Sequence, residues 1–324
     1  MYKPTTKEAW KGRTDAQDGP LGLRWHQVVQ LLDLSQEVPL VKAEHVAFAF
    51  LGFCCDEGVR RNQGRVGAAA GPAALRSAMA SFAYHLPEYA SLLDAGDVLC
   101  TNQNLEEAQA QLGKKVALLL QQGYRPLVLG GGHEIAFGHF LGLEQATASQ
   151  RLGILNFDAH FDLRSYDKQA SSGTPFLQIA TRQHAHVTPF IYNCLGIQEH
   201  ANTRILFQTA DQLGVQYALA EDMQQNKLPL FIEELQDFLA EVDHVYVTID
   251  LDVFTASCAP GVSAVNALGL SPEVVLPLLK QMAQSGKLLS IDIAELNPAH
   301  DIDHRTAKLG ASLLYQVVQA WTKA

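Results

Sequence analysis

No apolar run in this chain reaches the roughly 18 residues that a membrane span requires, so no transmembrane segment is expected. The opening residues Met1-Tyr2-Lys3-Pro4-Thr5-Thr6 lack the apolar core of a signal peptide, and a cytoplasmic location is the expectation. Cysteine is scarce: five residues at 54, 55, 100, 194 and 258, odd in number and without a Cys-x-x-Cys pair. That spacing argues against a disulfide framework or a cysteine zinc site. Cys54 and Cys55, after an apolar run, read as buried thiols. Basic residues are also short, 24 Lys and Arg against 34 Asp and Glu, for a net charge of -10. Such a surface disfavours nucleic acid and anionic membranes as main partners. An anionic substrate would need arginines placed locally against the overall field. Repeats, low-complexity tracts and Pro/Ser-rich linkers are missing as well, so one domain spanning 1-324 is expected, with 1-40 as an N-terminal extension packed on it.

With 48% hydrophobic residues in 324, the chain can bury a large core. Strand-like apolar runs alternate with helical patterns. Strands are expected at 45-53, 126-129, 153-157, 204-209, 245-249 and 288-293. Helices are expected from Gly71-Pro72, over 105-122 with a stop at Gly123, from 135, over 229-239 and 272-284, and at the end over 306-321. Continuous apolar strands alternating with helices imply an α/β fold, a mostly parallel sheet covered by helices on both faces. In such sheets ligands bind beyond the carboxyl ends of the strands.

Three of those ends carry metal-binding residue types. Gly130-Gly131-Gly132-His133-Glu134 follows one apolar run, Asp158-Ala159-His160-Phe161-Asp162 a second, and Asp250-Leu251-Asp252 a third. In an extended chain, residues i, i+2 and i+4 share a face, so Asp158, His160 and Asp162 would converge, as would Asp250 and Asp252. Two histidines and four aspartates suit Mn²⁺, and also Fe²⁺, Co²⁺ or Zn²⁺. Four carboxylates balance two divalent ions, which about 3.5 Å apart can share a water and make it hydroxide near neutral pH. Taken singly, each aspartate is an ordinary strand end or cap; the three motifs together point to a hydrolytic centre. His300-Asp301-Ile302-Asp303-His304, before the last helix, reads as loop and helix cap. His139 has no partner spacing and reads as a core or surface histidine.

Gly-Gly-Gly-His-Glu at 130-134, Asp-Ala-His-Phe-Asp at 158-162, Asp-Leu-Asp at 250-252 and Asp-Ile-Ala-Glu-Leu-Asn-Pro at 292-298 resemble the motifs of the ureohydrolase family. The resemblance runs from about Phe48 to the last helix. It implies a three-layer αβα arginase-like fold and two Mn²⁺ per subunit. By position, His133 and Asp162 would complete one metal site, and His160 and Asp252 the other. Asp158 and Asp250 would bridge them, and Glu295 would pair with a cationic guanidinium or amidine. Two departures separate this chain from arginases: Ser172 stands where they carry a proton-shuttling histidine, and Gly132 precedes His133 where they have aspartate. Both resemble the formimidoylglutamase branch, as do the segments 56-67 and 259-264.

The expected reaction is then hydrolysis of N-formimidoyl-L-glutamate to L-glutamate and formamide, a step of histidine degradation. Asp162 would pass a proton to the leaving amine. Arg164, Ser172, Arg60, Arg61 and Arg65 are the candidates to meet an anionic substrate, since guanidinium clamps carboxylate with two hydrogen bonds. The other readings are a guanidinobutyrase- or agmatinase-type hydrolase and a non-catalytic binding member. The resemblance allows a homo-oligomer.

Overall fold

The computed structural model describes residues 1-147 and 150-324. Among the described residues, ten strands form one sheet: β1 (Tyr2–Lys3), β2 (Gln30–Leu31), β3 (Val46–Cys54), β4 (Ala90–Leu99), β5 (Arg125–Leu129), β6 (Leu152–Phe157), β7 (Ile191–Ile197), β8 (Gln216–Leu219), β9 (His244–Asp250) and β10 (Leu288–Ala294). The helices are α1 (Trp25–Val28), α2 (Glu57–Arg61), α3 (Gly71–Met79), α4 (Leu105–Gln121), α5 (Ile135–Thr147), α6 (Pro175–Ala185), α7 (Arg204–Gln212), α8 (Leu228–Glu241), α9 (Pro272–Gln284) and α10 (Arg305–Trp321).

The strand order is β1-β4-β3-β5-β10-β9-β6-β7-β8, with β2 beside β4, and every pairing except β1 with β4 is parallel. Alternation along β3 shows how the layers arise. Phe48 and Phe50 enter a core shared with α3, α8, α9 and α10, while Ala49, Leu51 and Phe53 enter a second core with α4, α5, α6 and α7. Each of the fully buried Phe and Leu side chains contributes about 1.5-3 kcal/mol. The three-layer α/β expectation therefore holds. Near the N-terminus, Trp10 and Trp25 pack against Phe50 in tilted pairs at centroid distances of 5.6 and 5.8 Å, and Trp10 Nε1 donates to Asp94 at 2.6 Å. Among the described residues, no helix is long and apolar enough to cross a membrane.

The chain sets β5 and β6 apart and later fills the gap with β9 and β10. Four adjacent strands, β5-β10-β9-β6, thus end side by side, and their carboxyl ends carry all four motifs. Register makes the ends level: Ile293 lies opposite Leu129, Ala294 opposite Asp250 and Phe157 opposite Ile249.

One strand expectation is corrected. Residues 204-209 open α7 rather than forming a strand. Ile205-Leu206-Phe207 is a short apolar run that suits either element, but the buried pair Leu206 and Ala210 repeats at i, i+4 while Ile205 stays exposed. The strands of this region are β7 and β8, which the sequence reading passed over along with β4.

Candidate metal centre and substrate cavity

The close approach of β5 to its neighbours depends on glycine. A Cβ on Gly131 would sit 1.7 Å from the Cys55 carbonyl oxygen, and one on Gly132 would sit 2.1 Å from Glu134 Oε2. Without those side chains the turn after β5 tucks against β3 and presents His133. Its Nδ1 lies 2.9 Å from Asp158 Oδ2, 3.0 Å from Asp162 Oδ2 and 3.3 Å from Asp250 Oδ2. His160 Nδ1 lies 3.2 Å from Asp252 Oδ2 and 3.5 Å from Asp158 Oδ1. Two triads follow whose donor atoms all fall within 4.8 Å of one another: His133, Asp158 and Asp250, and Asp158, His160 and Asp252. Asp158 belongs to both triads, Asp250 to the first, and Asp162 closes on the first from the side.

The convergence is as expected, but strand alternation is not its cause. β6 ends at Phe157 and β9 at Asp250. Beyond them, Asp158 Oδ1 accepts from the His160 backbone N–H at 2.7 Å, and Asp250 Oδ1 accepts from the Asp252 N–H at 2.8 Å. Each first aspartate bonds the backbone two residues on, an Asx-type turn that swings the i+2 side chain back beside it. Asp162 then needs a left-handed backbone, φ 50°, and Glu295 another, φ 65°. Two non-glycine residues held in this disfavoured region within one cluster mark a site where geometry is imposed.

The electrostatics ask for more positive charge than the side chains supply. Burial opposes a charge on His133, yet Asp158, Asp162 and Asp250 outweigh it and hold the imidazole well above its usual range. Burial likewise opposes charge on His160, and Asp252 and Asp158 outweigh it. Burial and Asp250 push Asp252 well up, and burial and Asp158 push Asp162 up to about 6. For Asp158, burial is overcome by the two histidines, which hold it below the ordinary carboxylate range. Buried His133 Nδ1 and Asp252 Oδ1 find no hydrogen bond of sound geometry; for His133 Nδ1, proximity to three carboxylates does not amount to a partner. Unpartnered buried donor atoms among clustered carboxylates fit divalent cations bound by oxygen and imidazole.

Beside the cluster lies a cavity of about 300 Å³, lined by residues that include Asn62, Arg65, Asp162, Arg164, Ser172, Ser263 and Glu295. Glu295 Oε1 accepts from the His133 N–H at 2.9 Å, while its buried Oε2 has no partner. Burial, then Asp250 and Glu134, push the Glu295 carboxyl well up, as suits a group awaiting a cation. The exposed Arg164 side chain makes no hydrogen bond or ion pair with another described residue, and Ser172 lines the same wall.

Arg60 and Arg61, expected to meet an anionic substrate, are placed elsewhere. Residues 57-61 form helix α2, whose i+3 and i+4 spacing folds both arginines onto the buried Glu57. Arg60 holds Glu57 at 2.7 Å through Nε; Arg61 holds Glu57 at 2.9 Å and Glu106 at 2.6 Å. Arg65 does line the cavity, but its Nε bonds the Ser263 carbonyl at 2.9 Å, so it joins two loops. Asp301 caps α10 as expected, accepting from the N–H groups of Thr306 and Ala307 at 3.0 Å.

Three contributors escaped the sequence reading. Glu134 Oε1 accepts from the Gly58 N–H at 2.8 Å and so docks α2 beside the cavity. Asn297 Nδ2 holds the carbonyls of Arg65 and Val66 at 2.9 and 3.1 Å. Asn62 stands on the cavity wall. All three lie inside segments that carry the family resemblance, 56-67, 130-134 and 292-298, which is the available signal.

Residues 46-319 match the model of the Arginase family. A formimidoylglutamase from Aeromonas salmonicida is 48% identical, over 96% of this chain and 96% of the relative. The crystal structure of formimidoylglutamase from Bacillus subtilis subsp. subtilis str. 168 shares the fold, with a TM-score of 0.80 over 93% of this chain and 92% of that one at 21% identity. Trypanosoma cruzi formiminoglutamase with Mn²⁺ is similar at a TM-score of 0.77, covering 87% of this chain and 97% of that one at 25% identity.

Proposed function

Because the chain belongs to the arginase family, we propose that it hydrolyses N-formimidoyl-L-glutamate to L-glutamate and formamide with two bound Mn²⁺ ions. The observation that carries this reading is one cavity combining the buried His-Asp cluster, an unpartnered Glu295 oxygen and the free Arg164 guanidinium. These match a substrate with a reacting amidinium at one end and carboxylates at the other. The similarity to formimidoylglutamases over nearly the whole chain supports it.

His133, Asp158, Asp162 and Asp250 would hold one cation, and His160, Asp158, Asp250 and Asp252 the other. When bound, the two ions would supply Lewis acidity and an activated water at neutral pH. Glu295, fixed through Oε1 by the His133 backbone, offers Oε2 to the amidinium nitrogen and so orients its carbon toward the cluster. Asp162 delivers a proton from its carboxyl to the departing amine of glutamate, since an amide anion leaves poorly. Arg164 receives a glutamate carboxylate, and Ser172 lines the same cavity with a hydroxyl rather than an imidazole. Arg65 and Ser263 also line the cavity, Arg65 donating to Ser263 through both its backbone N–H and its Nε.

Manganese-loaded protein should release glutamate from N-formimidoyl-L-glutamate and give no product from arginine, agmatine or guanidinobutyrate. Urea from one of the latter, with no glutamate released, would discard the substrate assignment and keep the metal reading. Ligand binding without any turnover would discard catalysis.

A further inference from the structure

β9 and β10 bury a polar stripe in the middle of an apolar sheet. Parallel register sets Tyr246 opposite Ser290 and Thr248 opposite Asp292, and period-2 alternation turns all four toward α5. The intervening Val247, Ile249, Ile291 and Ile293 face the other core. Thr248, Ser290, Asp292 and the facing His139 of α5 are fully inaccessible. Burying a carboxylate this deeply is costly unless it is fully hydrogen-bonded. Asp292 is: Oδ1 accepts from Thr248 Oγ1 at 2.6 Å, while Oδ2 meets His139 Nδ1 at 2.6 Å and the Tyr246 hydroxyl. Hydrolysis as derived above uses none of these groups.

Their link to the site is a single bond, His133 Nε2 to Thr248 Oγ1 at 3.0 Å. Proton counting sets its direction. A threonine hydroxyl has one proton. Here it goes to Asp292 Oδ1, an acceptor held in place by His139 and Tyr246. Thr248 can therefore only accept from His133, so Nε2 carries the hydrogen. The lone pair of a neutral His133 is then left on Nδ1, the nitrogen facing Asp158, Asp162 and Asp250. At the other end, His139 Nε2 lies 2.7 Å from Ser290 Oγ, which is also 2.9 Å from the Pro126 carbonyl. The His133–Thr248 bond thus has one permitted sense.

We propose that Thr248, Asp292 and His139 are positioning residues: a buried hydrogen-bond relay that fixes the tautomer and ring orientation of His133 so that Nδ1 is presented to a divalent cation. The inference rests on the reading of His133 as a metal ligand. Partners of this kind typically account for roughly 10- to 100-fold in metal affinity.

The test titrates Mn²⁺ into metal-free protein by calorimetry, for wild type, Thr248→Val, Thr248→Ser, Asp292→Asn and His133→Ala. Thr248→Val keeps the branched shape and removes the acceptor; one of the two sites should weaken by roughly 10- to 100-fold while the other is unchanged. Thr248→Ser should restore wild-type binding, which a mere packing defect would not require. Asp292→Asn, whose amide can donate to Thr248 and free its hydroxyl to turn toward His133, should weaken the same site. It serves if the valine variant fails to fold. Wild-type affinity at both sites in folded Thr248→Val or Asp292→Asn overturns the relay. Two intact sites in His133→Ala would instead overturn His133 as a ligand, a separate failure.

Discussion

Arg164→Ala isolates the substrate-binding half of the reading. The guanidinium lines the cavity, is exposed, and is bonded to no other described side chain. Its removal should therefore leave the fold intact, with stability within about 0.5 kcal/mol of wild type. A hydrogen bond to a charged group contributes about 1.5-3 kcal/mol, and solvent exposure places Arg164 at the lower end. About 1.5 kcal/mol corresponds to roughly a tenfold rise in KM, since 1.4 kcal/mol is tenfold. The carboxylate lies remote from the reacting carbon, so the interaction is the same in ground and transition states and kcat should hold. Steady-state kinetics of glutamate release by manganese-loaded protein would measure both constants. Arg164→Lys should recover part of the loss, keeping the charge without the two-pronged geometry. Arg60→Ala is the contrast: its guanidinium is taken up by Glu57 outside the cavity, and KM should not move. An unchanged KM in Arg164→Ala, or a loss confined to kcat, would remove Arg164 from the carboxylate subsite.

The metal reading predicts that Asp250→Asn loses bound manganese and turnover together; retention of two ions per chain by elemental analysis with full activity would refute the role of Asp250. A third expectation concerns Glu134, whose carboxyl burial pushes from its ordinary value near 4.5 up to about 7. An acid raised on folding favours the native state fully below its unfolded value, and that contribution is lost as pH climbs from about 4.5 to 7. Glu134→Gln keeps an oxygen for the Gly58 N–H, so metal-free Glu134→Gln should exceed wild type in stability above pH 7 and match it near pH 4. Urea unfolding across that range would show it; a constant difference would mean that Glu134 does not titrate there.

How the ligands come together was only half legible. Asp158, His160, Asp250 and Asp252 were found through spacing, on the argument that an extended chain aligns i and i+2. The residues do meet, through Asx-type turns beyond the strand ends. Spacing of two is common to both geometries, so it could name the residues without naming the conformation. The arginines show the opposite case. Arg60, Arg61 and Arg65 stood alike as candidates for an anionic substrate, and only the helical turn of α2, with Glu57 as internal acceptor, takes two of them away from the cavity. The 204-209 run likewise held too few residues to separate period 2 from period 3.6, and packing of Leu206 and Ala210 decided for helix.

By itself the sequence determined the α/β class, most element positions and the identity of the clustered histidines and aspartates. These follow from local patterns, apolar runs and turn chemistry, that survive in one dimension. Tertiary structure alone decided that β5, β10, β9 and β6 are neighbours, that no described residue engages the Arg164 side chain while Arg60 and Arg61 are engaged, and that Thr248 and Asp292 reach His133. Those depend on strand order and on contacts between residues far apart in the chain, and no local period encodes which distant partner a side chain will meet.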